Sequence, residues 1–159
     1  MRQALFSILG EKVEGARVHD LFAGSGALVV EAVSRGAASC RFVDDDRRAV
    51  AVIEDNLRRT KLAGGEGSRA DVFQFLARDR GSYDLVFADP PYARTRHDRD
   101  YVAELLGSED LRRVIEADGW LVVEMAAEAE APQTDRWKLE DRRSYGGASI
   151  LLYAPGEQS

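Results

Sequence analysis

The chain has 159 residues, 28 acidic and 22 basic side chains, a net charge of −6 and 45% hydrophobic residues. That is the composition of one soluble globular unit with a sizeable core, and it excludes disordered, collagen-like and coiled-coil chains. No apolar run approaches the roughly 18 residues of a membrane span, and a lone cysteine (Cys40) with two scattered histidines (His19, His97) forms neither a disulfide nor a metal-ligand cluster.

The residues after Met1 carry Arg2 and pass straight into a periodic pattern without a leader peptide, so a cytoplasmic address is expected, with no membrane and no metal. Excess acid lies late in the chain: residues 1–60 hold 9 basic and 9 acidic groups, residues 61–159 hold 13 and 19. An acidic protein is not an obvious nucleic-acid binder. Only Lys12, Lys61 and Lys138 are lysines; the many arginines suit phosphate forks and base stacking, and a GC-rich genome produces the same bias.

Short apolar runs alternate with amphipathic segments from the first residues onward. A helix over Gln3 to Leu9 ends at Gly10, and Arg17 to Phe22 is the first strand, with Ala23 to Gly26 as the turn after it. Residues Gly26 to Arg35 are helical, Ser39 to Asp44 is the second strand, and Asp46 to Lys61 is a long helix with Ala49, Val52, Ile53 and Leu57 on its apolar face. Gly64 to Gly67 is expected as a loop, followed by a weak strand near Ser68 and a helix containing Val72, Phe75 and Leu76 behind Asp71. Tyr83 to Ala88 is a strand that runs directly into Asp89-Pro-Pro-Tyr92. Helices near Tyr101 to Leu106 and Leu111 to Ala117, a strand over Gly119 to Met125, an acidic loop from Ala126 to Asp135 and a hairpin of Trp137 to Ser144 with Ala148 to Tyr153 complete the chain. This order predicts an α/β fold, residues 1–159 as a single domain, with a mostly parallel sheet, helices on both faces and an antiparallel edge. Ligands of such sheets bind beyond the carboxyl ends of the strands, where the loops at 23–26 and 89–92 fall.

Asp20-Leu-Phe-Ala-Gly-Ser-Gly26 sets two glycines between a strand and a helix, where bare backbone admits a ligand. A dinucleotide fingerprint needs a third glycine at the position held by Val29, so NAD is disfavoured. Asp44 ends the second strand 20 residues after Gly24, where a carboxylate accepts ribose hydroxyls; a nucleoside without a pyrophosphate is implied. S-adenosylmethionine suits this pattern, with Asp20, Gly24 and Gly26 near its amino-acid end, Asp44 on the ribose and Asp71 near the adenine amine; taken singly, each is equally a turn, a strand-end cap or a helix N-cap. In Asp89-Pro-Pro-Tyr92, the prolines stiffen the loop and free the Pro90 carbonyl. A carboxylate and that carbonyl, bonded to the hydrogens of a nucleobase amine, aim its lone pair at an electrophilic methyl group, and Tyr92 offers a stacking face. Arg94, Arg96 and Arg99 form a local basic patch for phosphates, or a solvated loop. His19 and Cys40 read as core residues.

With Ala4-Leu-Phe-Ser-Ile-Leu9, Asp20 to Gly26, Glu31-Ala-Val-Ser-Arg-Gly36, Phe42-Val-Asp44, Asn56-Leu57, Asp84 to Tyr92 and Tyr145-Gly-Gly-Ala148 in hand, the chain resembles the bacterial 16S ribosomal RNA guanine-N2 methyltransferases over nearly its whole length. The resemblance implies a seven-stranded S-adenosylmethionine-dependent methyltransferase sheet. It implies cofactor contacts from Asp20, Phe22, Gly24, Gly26, Asp44, Asp71 and Val72, and catalysis by Asp89, Pro90 and Tyr92. It further implies methyl transfer to guanine N2 of 16S rRNA in the small ribosomal subunit; a monomer is the default expectation, and the base is expected to flip from its stack into the pocket. The sequence departs from the family in starting inside the first helix, without the family's N-terminal hairpin, and in carrying Asp44 where glutamate is usual. Two alternatives stay open: a DNA adenine or cytosine amino-methyltransferase, and a non-catalytic S-adenosylmethionine-binding module.

Overall fold

The structure, a computed structural model, describes residues 2–91 and 99–156. Its centre is a seven-stranded sheet in the order β3-β2-β1-β4-β5-β7-β6. The strands are β1 (Arg17–Asp20), β2 (Ser39–Asp44), β3 (Gly65–Arg69), β4 (Tyr83–Ala88), β5 (Ile115–Ala126), β6 (Trp137–Tyr145) and β7 (Ala148–Pro155). The first five pair in parallel; β7 runs antiparallel between β5 and β6, closing the sheet with the expected hairpin.

Two helical layers cover it. On one face α1 (Arg2–Leu9), α2 (Ala27–Ser34) and α3 (Arg47–Arg59) press Phe6, Val29 and Ile53 onto Phe42, Leu85 and Phe87. On the other, α4 (Val72–Arg78), α5 (Tyr101–Leu106) and α6 (Glu109–Val114) bury Leu76, Leu105 and Leu111 against Val86, Leu121 and Leu151. The period of two in β4 and β5 explains the division: Leu85, Phe87 and Val122 face the first layer, while Val86, Ala88, Leu121 and Val123 face the second. Helix starts follow the side chains that can cap them, with Asp46, Asp71, Asp100 and Ser108 each accepting a hydrogen bond from a first-turn amide.

Three sequence expectations are corrected. The apolar face of α3 is Val50, Ile53 and Leu57; Val52 is 55% exposed, because the stripe runs at i, i+3 and i+7 from Val50 and turns Val52 to solvent. The helix expected to reach Ala117 stops at Val114, and the β5 ladder begins at Ile115, paired with Tyr83. Gly65 and Gly67 lie within β3 and not in a loop. They are glycines because side chains of α3 and of the neighbouring strand β2 lie over them: a Cβ on Gly65 would stand 2.5 Å from Leu57 Cδ1, and one on Gly67 would overlap the buried ring of Phe42. Gly67→Ala is therefore expected to lower unfolding free energy by about 1–3 kcal/mol through overpacking, read from a urea transition. An unchanged midpoint would show that the Phe42 ring can yield.

Candidate active site

The loops after β1, β2, β3 and β4 open at the carboxyl edge of the sheet, and their order in space is set by backbone hydrogen bonds. Leu21 N–H donates to the Phe87 carbonyl, Ala23 N–H to Val43, and Ala70 N–H to Asp44, each at 3.0 Å. Asp44 then fastens two loops at once. Its Oδ2 accepts from Gly24 N–H and its Oδ1 from Asp46 N–H, both at 2.9 Å, leaving lone pairs on each oxygen. Gly24 takes φ +53°, a backbone conformation that favours glycine, and a Cβ there would meet only the Phe22 carbonyl oxygen, at 3.9 Å. Gly26 serves packing: with φ +79°, its missing Cβ would meet Ile53 Cγ1 at 2.5 Å.

A cleft of about 360 Å³ lies among these loops, walled by Phe22, Gly24, Asp44, Asp71, Val72 and Tyr101, with Asp89 and Pro90 at its margin. Five of the positions expected from sequence, Phe22, Gly24, Asp44, Asp71 and Val72, thus meet with the first catalytic positions, while Gly26 and Asp20 are absent from its lining. Asp71 uses Oδ2 to cap α4 through Phe73 and Gln74 N–H, both at 3.0 Å. A groove of about 1100 Å³ runs from Asp45 along α4 to Arg17, but it touches neither Gly24 nor Asp89; size alone does not mark the chemistry.

Asp20 lies beneath the cleft, 1% exposed, and neither carboxylate oxygen has a hydrogen-bond partner among the described residues. Burial pushes its pKa up to about 7, the Phe22 amide dipole offsets this only in part, and the charges of Asp89 and Asp44 add to it. A carboxyl whose folded-state pKa is raised contributes stability that is full below its unfolded value and lost as pH rises through the folded one. Between about pH 5 and pH 8, wild type is therefore expected to lose about 3 kcal/mol more stability than Asp20→Asn, measured by urea unfolding at both pH values. Parallel pH profiles of the two proteins would contradict the neutral, buried carboxyl.

Asp89 follows β4 with its side chain exposed, and Pro90 is buried behind it. No described residue donates to the Pro90 carbonyl oxygen, as the two prolines imply. Desolvation against the strand ends, and after it the charge of Glu124 nearby, raises the Asp89 pKa to about 7. Tyr92, Arg94 and Arg96 lie outside the described residues. Arg99 is held by Glu104 in a two-pronged ion pair at 2.7 and 2.8 Å, with its guanidinium over Phe73 and Tyr101, so its charge is already met within the chain. His19 and Cys40 are core residues, as expected. Burial lowers the His19 pKa to about 4, and its Nε2 stands 3.6 Å from Asp79 Oδ2, which also accepts from the Tyr83 hydroxyl.

Sequence reasoning missed Tyr101 and Glu124. Tyr101 meets Phe22 edge-on at 5.5 Å and supports the cleft wall. Its signal was faint, an aromatic residue at the start of a short helix. Glu124 was hidden inside an apolar strand, where a carboxylate in Val-Val-Glu-Met is itself the anomaly.

The family model described as "Conserved hypothetical protein 95" matches residues 1–154. "Putative rRNA methyltransferase YlbH" of Bacillus subtilis is 32% identical over 158 residues, covering 96% of this chain and 83% of that protein. "Ribosomal RNA small subunit methyltransferase D" of Escherichia coli is 31% identical over 160 residues, covering 96% of this chain and 75% of that protein. The solved structure of "Putative methyltransferase yhhF" from Escherichia coli superposes with a TM-score of 0.84 at 28% identity, covering 99% of this chain and 84% of that one. The fold is that of S-adenosylmethionine-dependent methyltransferases, as the family resemblance implied.

Proposed function

The chain belongs to the family described as "Conserved hypothetical protein 95", and from that premise we propose that it transfers a methyl group from S-adenosylmethionine to the exocyclic N2 of a guanine in 16S ribosomal RNA. The relatives' names support ribosomal RNA as the acceptor; guanine and its N2 rest on the site residues and the sequence resemblance. The observation that carries the reading is the position of Asp89 and Pro90 at the edge of the glycine-walled cleft, with no donor to the Pro90 carbonyl among the described residues.

The residues present fit the cofactor. Gly24 leaves its backbone bare, Asp44 keeps free lone pairs for two hydroxyls, Asp71 retains Oδ1, and Asp20 supplies a buried carboxyl with no partner among the described residues. Phe22 and Val72 supply apolar wall. When bound, S-adenosylmethionine supplies an electrophilic methyl group on a sulfonium sulfur.

The chain's own work is positioning and charge. An exocyclic base amine is a weak nucleophile because its lone pair is delocalised into the ring. Asp89 and the Pro90 carbonyl, accepting its two hydrogens, favour the pyramidal nitrogen and fix its direction. The amine leaves the reaction cationic and sheds one proton, and Asp89, with a pKa near 7, is matched to accept it at neutral pH. Tyr92 stacks on the base, and Arg94 and Arg96 meet phosphates. Residues 1–159 act as one methyltransferase unit, a cytoplasmic monomer acting on the small subunit.

The test is transfer of labelled methyl to small subunits lacking the modification, with naked 16S rRNA and duplex DNA alongside, followed by nucleoside analysis. N2-methylguanosine on the ribosomal substrates is expected. Methylated DNA would overturn the substrate, and cofactor binding by calorimetry without transfer to any substrate would overturn the activity.

A further inference from the structure

Glu124 has no part in the mechanism above, yet the sheet brings it to Asp89. Ala88 pairs with Val123 in the β4–β5 ladder, so Asp89 and Glu124 stand level, one residue further along neighbouring parallel strands. Side chains alternate, and since Phe87 and Val122 face the first helical layer, Asp89 and Glu124 share that face with them. There they border a recess of about 250 Å³ lined by Leu5, Leu28, Phe87, Val122 and Ile150. This recess lies on the opposite side of Asp89 from the cleft, whose wall includes Leu21 and Val72 of the second layer. Asp89 is the only other ionisable group among the described residues lining it; α1, α2 and β7 contribute only apolar side chains.

We propose that Glu124 is the residue that selects guanine: the recess takes the flipped base, and Glu124 accepts its N1–H while Asp89 and the Pro90 carbonyl accept the two hydrogens on N2. The inference rests on the function proposed above and adds the reason for its base specificity. Guanine alone of the bases sets a ring N–H beside an exocyclic amine, giving adjacent donors on its pairing edge. Adenine and cytosine set a ring-nitrogen lone pair there. Ionised carboxylates only accept, so two of them side by side complement guanine and oppose the other two bases. Apolar walls sharpen the choice, because a polar group left unpaired in a dry pocket is costly. Desolvation, and after it the charge of Glu124 alongside, opposes ionisation of Asp89 and holds its pKa up to about 7. Guanine binding calls for the ionised carboxylate, so transfer is expected to rise with pH as Asp89 ionises near neutrality.

The experiment compares wild type with Glu124→Gln and Glu124→Asp, all checked for cooperative unfolding. Glu124→Gln replaces a charged acceptor by a neutral amide oxygen and sets a donor NH2 on an edge where guanine also donates, which is expected to lower kcat/KM for guanine transfer roughly ten- to hundredfold, with cofactor affinity unchanged. Its acid limb should move to lower pH, because a neutral amide no longer opposes Asp89 ionisation. Carbon NMR titration of the Asp89 carboxyl in the free protein should show the same downward shift, independently of activity. Glu124→Asp keeps a charged acceptor and should recover part of the lost rate. Equal rates and acid limbs in wild type and Glu124→Gln would overturn the role of Glu124 while leaving guanine transfer intact. Transfer by wild type to a different base would overturn the proposed function, and this inference with it.

Discussion

Asp89→Ala is expected to bind S-adenosylmethionine as wild type does and to transfer methyl groups roughly 10²–10⁴ times more slowly, the range for losing an aligned electrostatic partner or a proton acceptor. The side chain is exposed beyond the last β4 pairing position, so its removal leaves the ladder and both core layers untouched. It also relieves the repulsion with Glu124, so stability is expected to hold or rise. Binding and chemistry can thus be separated, with calorimetry reporting the first and labelled transfer to small subunits the second. Asp89→Asn divides the role further. An amide oxygen still accepts one hydrogen from the base amine, but it cannot take the proton that the methylated nitrogen sheds. The asparagine variant should fall between wild type and alanine, with its acid limb abolished. Turnover near normal in the alanine variant would remove Asp89 from the chemistry.

The parts of this site that the sequence displayed are those where one local rule decides the outcome. A strand that runs into two prolines has one way to end, which is why Tyr83–Ala88 was legible without coordinates. Asp71 could be read as an N-cap for the same reason, and its Oδ2 is indeed bonded to two amides of α4. Local rules failed where tertiary contact decides. Glycines normally announce turns, but Gly65 and Gly67 are glycines because Leu57 and Phe42 occupy the space a side chain would need, and no window of sequence contains both partners. The apolar stripe of α3 depends on a rotational phase that Val50 and Val52 satisfy almost equally in sequence. Glu124 required the β4–β5 register, which places it beside a carboxylate 35 residues away in sequence (124 − 89). The chemistry of Asp89 was therefore visible, and the group that modulates it was not.

Asp44→Ala is expected to weaken cofactor binding on the order of a hundredfold, and Asp44→Asn to be nearly as harmful. The alanine variant loses two hydrogen bonds from backbone amides to a charged acceptor, each worth about 1.5–3 kcal/mol. It frees the Gly24 loop and the turn into α3 together, because Oδ2 holds Gly24 and Oδ1 holds Asp46. Asparagine appears the gentler change and is not. Either amide orientation leaves one oxygen facing one backbone N–H and sets the amide nitrogen, itself a donor, against the other. Only a carboxylate accepts on both sides while retaining lone pairs toward the cleft. Asp44→Glu provides the control, since it restores two acceptors on a longer arm and is expected to bind the cofactor far better than asparagine does. Calorimetric titration of the three variants with S-adenosylmethionine distinguishes the accounts. Asparagine binding close to wild type would mean that Asp44 serves through size and not through its pair of acceptors. Equal loss in alanine and asparagine, with recovery in glutamate, assigns the affinity to the carboxylate that joins the two loops.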